Sequence, residues 1–323
     1  MASYEGVRPI RSTMQINDIS ATQLQASTLA IGSFDGVHRG HSELIRKMAG
    51  EASRLGVPAV ALTFFPHPAV VLKGQKAPVY LTSPDERANL LEQAGAQVVV
   101  TQRFDKAFSQ WSAATFLEQV FKHLAPCQIW MGEDFAFGHR REGNREFLLS
   151  MQAVYGFSLH VVEPEEIDGA VVSSTRVRTA MKAGEMEQVA RLLGRPYSIE
   201  GRVVPGAGRG RKLGIPTANV ALWEEQLLPP AGVYAGYGRV GEEAFPAVIN
   251  LGIRPTFDAP SQPLTMEAHL LDFDGDIYDR RMRLAFHTRL RGEQRFNSAD
   301  ELQEQIRHDI VSTRTYLQET RDG

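Results

Sequence analysis

Two glycine-punctuated strings carry most of the chemistry this chain can do. The first, Gly32-Ser-Phe34-Asp35-Gly-Val-His38-Arg-Gly40-His41, follows a short apolar run at 29–31 and leads into a segment of helical period. A strand-to-helix junction of this kind offers backbone N–H groups and the positive end of a helix dipole to a phosphate. His38 and His41 are three residues apart, so both can project from one side of the first helical turn and donate to phosphoryl oxygens. Nucleotidyl transfer is one reaction that can use that arrangement. An incoming phosphate attacks the α-phosphorus of ATP in line, pyrophosphate leaves, and the protein positions the groups and stabilises spreading negative charge without a covalent intermediate. A histidine pair alone more often packs or caps a turn; the glycine pattern around this one reverses that weighing.

The second string is Gly206-Ala-Gly208-Arg209-Gly210-Arg211-Lys212-Leu-Gly214-Ile-Pro216-Thr217-Ala-Asn219. It is not a P-loop, because no Gly-Lys-Ser/Thr follows at the required spacing, and Pro216 interrupts the helix that a dinucleotide fingerprint demands. Thr217 and Asn219, two apart on an extended segment, offer a hydroxyl and a carboxamide as hard oxygen ligands to Mg²⁺ carried on ATP phosphates. Arg211 and Lys212 either steady that charge or are simply solvated. Further on, Met266, Ala268 and Leu270 share one face of a strand while Glu267 and His269 take the other. Glu267 is therefore available to accept a hydroxyl proton during phosphoryl transfer, or is a solvated strand glutamate.

Other positions are weaker. Ser174 and Thr175 at a helix start, with Arg178 in its first turn, can bind phosphate or form an ordinary N-cap. Asp134 lies in a polar, glycine-bounded loop after a strand. His67, between two prolines, is either structural or substrate-facing. Asp272-Phe-Asp274-Gly-Asp276 is read as a strand turn and not a calcium loop, since Ile277 and Arg283 occupy the positions where an EF-hand needs Gly and Glu. Phe257, Tyr278 and Phe296 have the faces to stack on a planar ring, although barrel aromatics ordinarily fill cores.

The elements that must position these residues fall into two kinds. Apolar runs at 29–31, 59–64, 98–100 and 129–131 alternate with helical periods, which predicts a parallel sheet covered by helices. Leu44, Ile45, Met48, Ala49 and Ala52 form one helical face, and Ser83-Pro84-Asp85-Glu86 is a helix start with a capping-box glutamate. A helical stretch through Met181, Val189 and Leu193 ends near Gly194. Beyond it, short runs at 199–204, 233–240, 247–250, 265–271 and 282–290 predict an antiparallel barrel. Ser298-Ala-Asp-Glu301 then starts a C-terminal helix. The composition break places one domain at 1–186 and another at 187–323.

Composition excludes several function classes. Lys plus Arg number 35 against 38 Asp plus Glu in 323 residues, a net charge of −3, so nothing global points to nucleic acid or an anionic membrane. No stretch of about 18 uninterrupted apolar residues occurs, and the first fifteen residues lack a signal-like apolar segment. The expectation is a cytoplasmic protein with small-molecule partners, its subunit number left open by the sequence. The single cysteine, Cys127, is expected to be buried and inert.

The first string resembles the signature of the HxGH nucleotidyltransferases, in the form found in their FMN adenylyltransferase branch. Phe65-Pro-His67-Pro68, Gly132-Glu-Asp134-Phe-Ala-Phe-Gly138 and Ser173-Ser174-Thr175-Arg-Val-Arg178 match the same branch in order. Departures stand at Phe65, where many relatives carry an acidic residue, and at Val171, where some carry arginine. The second string resembles the riboflavin kinase signature, and 230–234, 248–257 and 267–273 continue that likeness. Nearly the whole chain is thus similar to the prokaryotic bifunctional riboflavin kinase/FMN adenylyltransferase family. The resemblance implies a Rossmann-like α/β domain followed by a Greek-key barrel with a C-terminal helix. It implies phosphorylation of riboflavin to FMN, adenylylation of FMN to FAD, ATP as co-substrate and Mg²⁺ in both steps. It places Thr217 and Asn219 on metal and nucleotide, Glu267 as the kinase base and Asp134 on the flavin or adenine side. The alternatives are a kinase-only chain with a weakened adenylyltransferase half, and a flavin-binding regulator without catalysis.

Overall fold

A computed structural model describes residues 14–74, 79–206, 210, 214–253 and 264–322. Cα packing divides the chain into two compact units, 1–174 and 175–323.

In the first unit, β1 (Met14–Ile16), β2 (Ser27–Ile31), β3 (Ala59–Phe65), β4 (Val98–Arg103), β5 (Pro126–Gly132) and β6 (Ser158–Val162) form one parallel sheet in the order β1-β4-β3-β2-β5-β6. From β2 the chain winds outward through β3 and β4, then crosses back to β5 and β6. The sheet therefore reverses direction between β2 and β5, and the crevice at their carboxyl ends is where such folds bind ligands. All five residues of β2 are buried, as expected for a central strand covered on both faces.

Helix α1 (Arg39–Leu55) buries Leu44, Ile45, Met48 and Ala52 on one side of the sheet, together with Leu90 and Leu91 of α3 (Pro84–Gln93). Between them in sequence lies the short α2 (Pro68–Lys73). The opposite face carries α4 (Ala113–Leu124) and α5 (Arg145–Tyr155), which contribute Phe116, Leu117, Val120 and Leu148. Capping follows the sequence: Ser83 Oγ accepts from the Glu86 amide at 3.1 Å, and Gly56 closes α1 at φ 69°. A two-stranded ribbon, β7 (Glu166–Ile167) and β8 (Ala170–Val171), precedes the next helix.

The helical stretch expected to run to Gly194 is two helices, α6 (Ser174–Ala183) and α7 (Met186–Leu193). Gly184 at φ 79° breaks it, a left-handed turn that glycine takes without steric cost. In the second unit α7 packs on β9 (Tyr197–Val204) and on the later strand β14 (Arg281–Arg291). With β10 (Ala218–Val220), β11 (Gly232–Val240), β12 (Glu243–Ile253) and β13 (Leu264–Leu270) they close a barrel ordered β10-β13-β12-β11-β14-β9. The run β14-β11-β12-β13 is a Greek key. Strand β10 was not expected as a strand: it has three residues and hides within the glycine string, yet it closes the barrel by pairing with both β9 and β13.

Helix α8 (Ala299–Asp322) lies on β11, β12 and β14, where Ile310 meets Val233, Val248 and Leu271. Arg291 and Asp309 pair beneath it at 2.8 Å. The capping box at its start is shifted by one: Ser298 Oγ accepts from the Glu301 amide, while Glu301 Oε2 accepts from the amide of Asn297.

Candidate active sites

Both glycine strings sit where strands end. Residues 32–38 leave the carboxyl end of β2 through two buried non-glycines in the left-handed region, Phe34 at φ 47° and Val37 at φ 40°. A Cβ at Gly32 would lie 2.8 Å from the Phe34 ring, so the glycine is needed for the loop to close on itself. Asp35 braces the loop. Its carboxylate accepts from the Leu81 amide at 3.0 Å and from the Thr82 amide and hydroxyl at 3.2 Å, and it pairs with Arg87 Nη2 at 3.3 Å. Arg87 Nη1 donates to the Phe64 carbonyl at 3.1 Å, tying the loop to the end of β3. Asp35 and Arg87 are 1% and 0% exposed. The Asp35 side chain thus faces the interior.

A buried pair of this kind adds little net stability but is costly to halve. Arg87→Met leaves the buried Asp35 carboxylate without its counter-charge, and chemical denaturation should show a loss of about 3–5 kcal/mol. A loss under about 1 kcal/mol would show that the pair does not hold the loop.

His38 is the N-cap of α1. Its Nδ1 accepts from the His41 amide at 3.4 Å, so the ring proton resides on Nε2. The two imidazoles stack with centroids 3.6 Å apart, and the Phe34 ring stands edge-on to His41 at 5.2 Å. Burial, reinforced by His38 and Arg87, holds His41 well below the ordinary imidazole value. His41 therefore stands as a neutral hydrogen-bond donor beside His38. Gly40, between them, adds no side chain over the rings.

Ser174 opens α6, and its Oγ donates to the Asp35 carbonyl at 2.9 Å, fastening the helix start to the loop. Thr175 stands in the first turn of that helix, and Arg178 begins the second. His67 caps α2, its Nδ1 accepting from the Ala69 amide at 3.1 Å. Asp134 is exposed in the loop after β5, and its carbonyl accepts from Arg141 Nη2 at 2.9 Å.

Sequence reasoning missed the cavity beside these groups. Its volume is about 620 Å³, and Phe64, Phe104, Phe108, Trp111, Phe135 and Phe137 form its apolar wall, with His67 and Asp134 also lining it. Each of those six aromatics stands at or beyond the carboxyl end of β3, β4 or β5, which was the available signal. The barrel aromatics serve differently. Tyr278 is exposed, Phe296 lies under Arg291 at 5.9 Å, and Phe257 falls outside the described residues.

On the barrel, Asn219 of β10 and Asn250 of β12 lie directly opposite Glu267 of β13, one on each side. Their strand neighbours Ala218, Val220, Ile249, Leu251, Met266 and Ala268 are buried, so the polar row occupies the outer face. Thr217 Oγ1 approaches Glu267 Oε2 at 3.5 Å, the edge of hydrogen-bond range. The glycines press against this row. A Cβ at Gly206 would lie 2.0 Å from Asn219 Nδ2, and one at Gly210 would lie 3.2 Å from Thr217 Oγ1 and 2.3 Å from the Ile215 carbonyl.

His269 Nδ1 lies 2.8 Å from the Pro216 carbonyl, a positioning contact for which the sequence offered no role. Asn250 was likewise part of a quoted motif without an assigned task. Gly208, Arg211 and Lys212 lie outside the described residues. Among the described residues no group of three His, Cys, Asp or Glu side chains could hold a metal; Thr217 and Asn219 are a hydroxyl and carboxamide set.

Known proteins divide along the same lines. A family profile described as FAD synthetase matches residues 20–176, and one described as riboflavin kinase matches 193–317. The bifunctional riboflavin kinase/FMN adenylyltransferase of Escherichia coli K12 is 38% identical over 94% of this chain and 96% of its own length. This chain belongs to the bifunctional riboflavin kinase/FMN adenylyltransferase family. The proteins of that name from Pseudomonas fluorescens and Bacillus subtilis are 38% and 35% identical, covering 88% and 91% of this chain and 91% and 94% of theirs.

A solved structure described as a macrolide-efflux protein from Streptococcus pneumoniae shares the fold of this family member. It aligns with a TM-score of 0.84 at 29% identity, over 94% of this chain and 98% of its own. Among the described residues no helix is long and apolar enough to cross a membrane. Two profile matches, each on its own unit, favour two transferase activities over a kinase-only chain or a regulator without catalysis.

Proposed function

We propose that the barrel phosphorylates riboflavin to FMN and that the parallel-sheet unit adenylylates FMN to FAD, with the working domains at 1–186 and 187–323. The observation that carries this reading is that each matched region gathers its own reactive set: the stacked His38–His41 pair at the sheet's reversal point, and the Asn219–Glu267–Asn250 row beside Thr217 on the barrel.

In the kinase half, the glycine backbone around Gly206 and Gly210 approaches the ATP phosphates. Glu267 takes the proton of the riboflavin 5′-hydroxyl as that oxygen attacks the γ-phosphorus, and ADP leaves. The donor set fits a hard cation, and Thr217 and Asn219 would hold Mg²⁺, which when bound neutralises phosphate charge. Gly208, Arg211 and Lys212 belong to the same string and would extend the phosphate cradle.

In the transferase half, the FMN ring enters the aromatic cavity with Asp134 at its edge. Its phosphate attacks the α-phosphorus of ATP and pyrophosphate departs. His38 donates from Nε2 and His41 from its neutral ring as negative charge spreads over the phosphoryl oxygens. Gly32, Phe34, Asp35 and Gly40 shape the loop that positions them, and Ser174 adds a hydroxyl beside it. ATP as co-substrate of both steps puts the work in the cytoplasm, with small molecules as partners.

A fragment beginning at Ala183 retains α7, the barrel and α8 and should phosphorylate riboflavin without making FAD. The full chain given FMN and ATP should release pyrophosphate. A folded but inactive fragment would refute the separability of the kinase, and full-length protein that releases no pyrophosphate from FMN and ATP would refute the transferase.

A further inference from the structure

Cations line the aromatic cavity, and two of them stand in a backbone conformation that L-residues rarely adopt. Lys73, Arg140 and Arg141 line the same cavity as Phe104 and Phe137. Arg140 has φ 54° and ψ 23°, and Arg141 follows at φ 63°. Arg141 has a structural task, its bond to the Asp134 carbonyl. Arg140 is exposed and makes no hydrogen bond or ion pair with the described residues.

The loop is pinned on both sides of that point. Phe137 and Gly143 exchange backbone hydrogen bonds at 3.0 and 2.9 Å, and Glu142 Oε1 accepts from the Ala113 amide at 2.7 Å. A Cβ at Gly138 would lie 2.7 Å from the Ala113 nitrogen, and one at Gly143 would lie 2.6 Å from the Phe137 ring. Within this frame residue 140 is left-handed, a conformation that glycine would take without strain. Arginine there is a departure from local preference at the rim of a ligand cavity, and such departures concentrate at functional positions.

The chain also has a discrimination problem, given the proposed adenylyl-transfer reading on which this inference rests. Riboflavin and FMN present the same ring, so an apolar cavity binds both alike, and only a group that reads charge can separate them.

We propose that Arg140 is a specificity determinant of the adenylyl-transfer site: its guanidinium at the cavity mouth favours a flavin bearing a phosphate monoester over the same ring without one. Adenylyl transfer thereby draws on the kinase's product in preference to its substrate.

The test uses the full-length protein and two variants, Arg140→Gly, which suits the backbone, and Arg140→Gln, which keeps side-chain length. FAD formation is followed with FMN varied, and 5′-deoxyriboflavin, which has no hydroxyl for the kinase to phosphorylate, serves as a competitive inhibitor. Both variants should raise KM for FMN by roughly tenfold with kcat within a few-fold of the parent, and leave the inhibitor's Ki unchanged. Arg140→Lys should restore most of the loss. Raising salt from about 50 to about 300 mM should weaken FMN more in the parent than in the variants. Unchanged KM for FMN in both variants overturns the proposal, as does an equal rise in KM for FMN and Ki for 5′-deoxyriboflavin, which would make Arg140 a ring contact. A parent that forms no FAD from FMN defeats the underlying functional reading instead.

Discussion

Replacing Glu267 by glutamine should slow riboflavin phosphorylation by roughly 10²- to 10⁴-fold, the usual worth of a general base, while FAD formation from supplied FMN continues near the parental rate. Glutamine keeps the size and hydrogen-bonding capacity of the side chain but cannot take a proton. Glu267 is half-buried on the barrel's outer face between Asn219 and Asn250, and neither carboxamide can replace it as a base. Riboflavin binding should change little, so the loss falls on kcat. The histidine pair lies in another unit, which makes the contrast between the two activities the informative readout. Phosphorylation within a few-fold of the parent, in a folded variant, would show that the proton goes elsewhere.

The mirror-image result should come from the histidine pair. Each donor to a developing phosphoryl charge contributes about 10²- to 10³-fold, so removing both imidazoles should lower FAD formation by at least roughly 10³-fold and leave FMN formation near normal. His38 also caps α1, and deleting a cap costs about 1 kcal/mol, so His38→Ala confounds catalysis with stability. The combination His38→Asn with His41→Ala keeps an acceptor at the cap while removing both rings. The parental pH profile carries a related signature. Burial depresses the His41 value, so its protonation, and any rate loss from it, should fall below about pH 6.5. FAD formation that survives loss of both rings would remove them from the mechanism.

Much of this arrangement was legible because its determinants are local. The apolar stripe of α1, the Ser83 and Ser298 caps, and the alternation placing Glu267 opposite Met266 and Ala268 depend on residues within a turn or two of one another. What was not legible depends on contacts distant in sequence. The aromatic cavity draws Phe64, Phe104, Trp111 and Phe137 from three separate strand ends. The sequence places Asp35 in the phosphate loop but not the direction of its carboxylate, which the buried Arg87 settles from 52 residues away. Strand β10 has little local signal, since three residues after a proline acquire strand character only from pairing on both sides. Cys127, expected to be buried, is only half-buried, with Sγ donating to the Ser27 carbonyl at 3.2 Å.

The most direct test of the whole account is a time course of purified full-length protein with riboflavin, ATP and Mg²⁺, resolved by chromatography. FMN should appear first and FAD should follow at its expense, with ADP released in the first step and pyrophosphate in the second. A course that ends at FMN without pyrophosphate, or that consumes no riboflavin, would contradict it.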